Sequence, residues 1–220
     1  MVSAHWDTAA PVLTGAAKPE TIHDFYGFPE PLYRLRYPAP GSPALAERAR
    51  AMLAGEGFRA EVDANRGLDH GVWSILLHMF PEADIPVVQL ALQTRSGPRH
   101  HYRMGQALAA LAAEQVLLIG SGQMTHNLRE WNRNGNGAPA PYVLEFQAWV
   151  HERIMARDHE ALIDYAHKAM HASRAHPSDE HFLPLIFSLG TAGKAALPQR
   201  TYDAVEGSVL AMDVYTFTPA

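Results

Sequence analysis

Of the chain's 13 histidines, His5, His126 and His181 fall at loop or helix-start positions far apart in sequence, and His70 and His23 sit in similar turns. An imidazole near its ordinary pKa of about 6.5 can take a proton and return it at neutral pH. In its neutral form it is also a metal ligand, and imidazoles without thiolates suit Zn(II) or Fe(II). The chain has no cysteine, which removes disulfides, thiolate sites and a cysteine nucleophile. The histidines match no compact motif such as His-Glu-x-x-His, so only the fold could gather them. Other chemistries are weakly supported. There is no Gly-x-Ser-x-Gly and no Walker loop. Gly120-Ser121-Gly122 lacks the third glycine of a dinucleotide turn, and Ser121 lacks the strained elbow of a hydrolase nucleophile.

The elements that must position these histidines follow from the local pattern. Residues 116–119 are an aliphatic run that reads as a buried strand stopped by Gly-Ser-Gly. His126 then falls just past the strand's carboxyl end, opening a helix through Asn127 and Leu128. In open α/β sheets ligands bind outside the carboxyl ends of strands. The plainer reading is a turn with an exposed polar residue. His5 follows Val2-Ser3-Ala4, which reads as the last turn of a strand whose beginning is absent. His23 lies in an aromatic loop, residues 21–29, suited either to lining a pocket for a planar ligand or to packing as a lid. His70 belongs to the turn at residues 67–71. Ser178 can cap a helix and put His181 at its third position, where the helix dipole disfavours a charged imidazole. Alternatively, His181 is a solvated first-turn residue.

Ser42 and Pro43 start a helix carrying Leu45, Ala49, Met52 and Leu53, which Gly55 stops. Strands are expected at residues 58–62, 85–92 and 208–217. Helices are expected at residues 72–80, 100–113 and 161–170, and through Val143, Phe146, Val150 and Ile154. Residues 11–19 and 134–141 read as loops. Strand and helix alternate, so the expected fold is α/β: one domain over residues 1–220, with a mostly parallel central sheet flanked by helices and its first strand truncated.

Composition narrows the class. Of the 220 residues 47% are hydrophobic, enough for a real core, and net charge is −5 with no basic run to grip nucleic acid. No stretch reads as a membrane span or signal peptide, so a soluble cytoplasmic protein is expected.

Several blocks in register carry a resemblance. They are Ser3-Ala4-His5-Trp6, Thr21-Ile22-His23-Asp24-Phe25-Tyr26-Gly27-Phe28-Pro29, and Tyr37-Pro38-Ala39-Pro40-Gly41-Ser42-Pro43. Leu68-Asp69-His70-Gly71 and Asp84-Ile85-Pro86-Val87-Val88-Gln89-Leu90 continue them. Gly120-Ser121-Gly122 with His126-Asn127-Leu128, and Glu180-His181-Phe182-Leu183-Pro184-Leu185, complete the set. Together they resemble the class III extradiol ring-cleavage dioxygenases, a family that includes 4,5-DOPA dioxygenases.

The resemblance implies one divalent metal ion, Fe(II) or Zn(II), and a small aromatic diol opened with O2. By the same resemblance His5, His126 and His181 are metal ligands, with His181 where some members use glutamate. His126 is implied as acid/base, His70 as a pocket histidine bonding substrate or oxygen, and His23 as a substrate-pocket residue. A homo-oligomer is compatible with it. One departure stands out: the family begins with a strand ending in a His-Gly turn that supplies a further ligand, and here no residue upstream of His5 can replace it. The alternative reading is therefore a truncated or degenerate member that binds metal weakly and does not catalyse. A zinc hydrolase using the same histidines is a third reading.

Overall fold

The computed structural model of the chain describes residues 1–131 and 137–219. They cluster into two compact units, residues 1–95 with 110–121 and residues 96–109 with 122–220.

The first unit is built on a five-stranded sheet. Its elements are β1 (Val2–Asp7), β2 (Val12–Thr14), α1 (Pro43–Gly55), β3 (Glu61–Asp63), α2 (His70–Met79), β4 (Leu90–Leu92) and β5 (Gly120–Ser121). The strand order is β3-β2-β4-β1-β5. β1 runs parallel to β4 and β5, and β2 parallel to β3; β2 and β4 pair antiparallel. The sheet is thus mostly parallel and the fold α/β, as the alternating pattern predicts. Val2, Ser3, Ala4 and Trp6 are all buried, which suits a central strand covered on both faces. Val2–Asp7 forms six residues of strand, more than the single turn read from the sequence.

Two helices of this unit follow the sequence signals closely. The Ser42 hydroxyl accepts the Leu45 N–H and Pro43 occupies the first turn, so α1 starts where the cap demands. Ala46, Ala49 and Leu53 form its buried face. α2 buries Val72, Trp73 and Leu76 against Tyr37, Leu68 and Val87.

Other expectations need correcting. Residues 116–119 belong to no strand, and Leu117 is 60% exposed. Ile119 O accepts the Val2 N–H, and the ladder with β1 begins at Gly120. Residues 12–14, expected as loop, form β2. The strand expected at 58–62 is β3, displaced to Glu61–Asp63, and only Leu90–Leu92 of residues 85–92 forms a strand.

The second unit is mainly helical. It holds α3 (Gly97–Leu108), α4 (Pro141–Met155), α5 (His159–Ile163), α6 (Tyr165–Lys168), α7 (Ala172–Ala175) and α8 (Leu183–Ala192). Two small antiparallel ribbons accompany them: β6 (Leu197–Tyr202) with β9 (Val214–Thr218), and β7 (Val205–Glu206) with β8 (Leu210–Ala211). Val143, Phe146, Val150 and Ile154 are buried on one face of α4, as their spacing predicts. They pack in one core with Leu162, Phe182, Ile186 and Leu189. The helix expected at 161–170 is two short ones joined at Asp164, and the strand expected at 208–217 is split into β8 and β9. Part of the loop expected at 134–141, residues 134–136, lies outside the described residues. No helix among the described residues is long and apolar enough to cross a membrane.

Candidate functional site

In the first unit His5 comes from β1 and His70 is the first residue of α2. Their rings lie 3.9 Å apart, centroid to centroid, and Asp24 joins them. Asp24 Oδ2 is 3.0 Å from His70 Nδ1 and 3.7 Å from His5 Nδ1, while Oδ1 accepts the His70 backbone N–H at 2.8 Å. Burial pushes the Asp24 carboxyl up, but its contacts with the His70 ring and backbone outweigh this and hold it below its ordinary value.

The local sequence explains the approach. A Cβ on Gly71 would lie 2.3 Å from Ser3 Oγ and 2.9 Å from His5 Cδ2, so only glycine lets α2 start against β1 here. Beneath it, buried Asp69 accepts hydrogen bonds from Ser3 Oγ and Gln89 Nε2. The aromatic loop is stapled to the start of α2. Ile22 N–H donates to Leu68 O, and Trp73 Nε1–H donates to Ile22 O, which brings Asp24 to His70.

Beside His70 is a cavity of about 230 Å³, lined chiefly by Phe25, Phe28, Leu35, Trp73 and Leu77. His23 is not among its lining residues. Its ring packs near Trp73 and Phe25, and its Nε2 lies 3.0 Å from Leu35 O.

In the second unit His126 and His181 stack face to face, with centroids 3.4 Å apart and planes at 12°. Glu180 Oε1 is 3.4 Å from His181 Nδ1 and accepts the Ser178 hydroxyl at 2.9 Å. Burial, and then the neighbouring His181, push His126 down to about 4. Contact with His181 is the main cause holding Glu180 down to about 2. At neutral pH the His126 ring is therefore uncharged and its lone pair is available to a proton or a metal.

Backbone contacts fix both rings. His126 N–H donates to Ala175 O, and Gln123 N–H donates to His181 O. A Cβ on Gly122 would fall 2.2 Å from His181 O, so the Gly120-Ser121-Gly122 signal marks a close backbone approach rather than a phosphate cradle. Two expectations are corrected here. His126 precedes a turn, in which Glu130 N–H bonds Asn127 O, and not a helix. The Asn127 side chain, which donates to Arg174 O and Glu130 Oε1, draws the chain back before a helix can continue. His181 lies in the turn before α8, because the Ser178 hydroxyl bonds Glu180 instead of capping and Phe182 is the N-cap.

Each cluster is two imidazoles and a carboxylate whose ligand atoms lie within 4.8 Å of one another. That donor set fits a divalent Fe or Zn ion. Sequence reasoning singled out the four histidines but gave no role to Asp24 or Glu180. Asp24 lies 46 residues from His70 and carries no local signal of the pairing. Glu180 adjoins His181, so the dipeptide itself was the available clue.

Comparison with known proteins settles the family. A family described as the catalytic LigB subunit of aromatic ring-opening dioxygenase matches residues 1–210. The chain belongs to this family. Among LigB-family relatives, "4,5-DOPA dioxygenase extradiol" of Beta vulgaris is 41% identical over 225 residues, covering 99% of this chain and 81% of the relative. The protein of the same name from Escherichia coli K12 is 40% identical over 194 residues, covering 86% and 70%. The fold matches the crystal structure of uncharacterized protein JW3007 from Escherichia coli K12. The TM-score is 0.83 at 33% identity, covering 97% of this chain and 83% of that one.

Proposed function

We propose that this LigB-family chain is a metal-dependent extradiol dioxygenase acting, as one catalytic domain, on a DOPA-like catechol. In the reaction the carbon–carbon bond beside the diol breaks and both atoms of O2 enter a ring-opened product. A bound Fe(II) would supply open positions where catechol and O2 are activated. The observation that carries the reading is the uncharged His126 ring stacked on His181 with Glu180 alongside.

The chain's own residues take the following roles. His126 accepts a proton from a catechol hydroxyl and returns it to the product. His70 bonds the substrate at the mouth of the aromatic cavity, and Phe25 and Trp73 keep water from the ring. The resemblance assigns His5, His126 and His181 as ligands and His23 to substrate binding, and each assignment is tested by its own variant. His23 is the weakest of these, since its ring nitrogen is engaged with Leu35 O.

The test is anaerobic loading with Fe(II), followed by an oxygen electrode with DOPA as substrate. Oxygen uptake with a yellow ring-opened product is expected, and His126→Ala lowers it about 10²–10⁴-fold, the range of general acid–base catalysis. Unchanged uptake in that variant would remove His126 from its role. Product formation without oxygen would instead favour a hydrolase.

A further inference from the structure

The cavity beside His70 runs along one face of α2. His70, Ser74 and Leu77 line it at helical spacing, with Trp73 beside them, and Phe25 and Leu35 close it from outside the helix. The seven residues from His70 to Leu77 rise about 10 Å, so the cavity extends well past the His70 ring towards the last turn of α2. Its polar side chains are few and mostly engaged: Trp73 Nε1–H donates to Ile22 O, and the Ser74 hydroxyl donates to His70 O. Among the described residues no lysine, arginine, aspartate or glutamate lines it. The nearby guanidiniums are held elsewhere, Arg34 by Glu30 at 2.6 Å and Arg36 by the Tyr33 and Leu35 carbonyls. At about 230 Å³ the cavity is smaller than the roughly 300–1,000 Å³ that a drug-sized ligand occupies, and it suits a single short substituent.

We infer that this cavity receives the ring substituent of the substrate and selects for an uncharged, apolar one. The inference rests on the ring-cleavage reading and narrows its substrate class. With the catechol bonded by His70 at the mouth, a chain on the far side of the ring lies among Phe25, Trp73 and Leu77. On that chain DOPA carries an ammonium and a carboxylate at neutral pH. Neither meets a carboxylate or a permanent cation in the lining, and moving an unpaired ion out of water is strongly unfavourable. A plain propyl chain of the same length meets no such penalty and gains apolar contact along its whole length. DOPA is therefore turned over, but less efficiently than a catechol bearing an alkyl chain at the same ring position.

The experiment compares 4-propylcatechol with dihydrocaffeate, dopamine and DOPA, whose chains carry a carboxylate, an ammonium and both. In the Fe(II)-loaded enzyme kcat/KM for 4-propylcatechol is expected to exceed that for DOPA by at least about 10-fold, the low end of what the fit of one group in an apolar pocket decides. Dihydrocaffeate and dopamine should fall between them. Equal values, or DOPA ahead, overturn the inference. A second readout needs no turnover. In the metal-free full chain, 15N NMR follows the Trp73 indole N–H, assigned with Trp73→Phe, as 4-propylcatechol or DOPA is added. 4-Propylcatechol is expected to shift that signal at concentrations at least about 10-fold lower than DOPA does. No shift with 4-propylcatechol, or an equal response to both, would show that the cavity does not make the choice. Leu77→Gln is expected to erode the preference, and an unchanged ratio contradicts the assignment to this cavity. Should that variant fail to fold, the wild-type ranking and titration decide alone. If no catechol is turned over by any form, the ring-cleavage reading fails, while the metal-free titration still decides what the cavity accepts.

Discussion

Burial holds two imidazoles of the helical unit neutral well below the usual histidine range: His126 at about 4 and His176 at about 3. His176 is fully enclosed, its Nε2 against Met124 O and its ring among Phe146, Tyr165 and Phe182. Both pKa values are lower folded than unfolded. Their contribution to stability is complete above about 6.5 and is lost as pH falls from there towards 4 and 3. Denaturant melts across that window should show falling stability, by up to about 1.4 kcal/mol per pH unit for each proton taken up on unfolding. His176→Phe should flatten the slope by up to that amount, and an unchanged slope would contradict the burial argument. At this scale the sequence was informative about the histidines, because they fall in turns and at the ends of apolar runs. It was silent about Asp24, whose partners His70 and His5 are distant in the chain and lie on other elements.

Among the elements, glycines mark where backbone must approach backbone or ring. Gly71→Ala would drive a methyl into Ser3 and His5, and Gly122→Ala would drive one into the His181 carbonyl. Each should cost about 1–3 kcal/mol in a thermal or denaturant melt, the range for overpacking. Gly55→Ala, at a position with open space around it, should cost nothing measurable and serves as the control. Equal melts for Gly71→Ala and Gly55→Ala would show that the α2–β1 approach is not tight. α1 and α4 were legible because a cap or a clean 3.6-residue period is a local property. The failures differ in cause. Residues 116–119 had the composition of a strand, but the ladder takes in none of them, and that is settled by contacts far along the chain. Ser178 had the chemistry of a cap but bonded a competing local acceptor, Glu180, two residues on.

For the molecule as a whole, alternating strands and helices made the α/β class readable, whereas the division into two compact units left no mark in composition. The LigB-family match spans residues 1–210 and so includes residues of both units. In the first unit two imidazoles and a carboxylate converge from separate segments, and in the second the adjacent Glu180 and His181 meet the distant His126. If the second group holds the ion, His181→Ala should lower Fe(II) affinity by at least the 10–100-fold typical of even outer-shell losses. Metal analysis after dialysis reads this directly, and full retention would exclude His181 as a ligand. The most direct measurement for the central claim is oxygen consumption by the anaerobically Fe(II)-loaded chain on addition of DOPA. The account predicts one O2 consumed for each catechol opened, because both oxygen atoms enter the product, with uptake abolished by a chelator. Metal bound at full occupancy with no oxygen uptake on DOPA or any other catechol would contradict it.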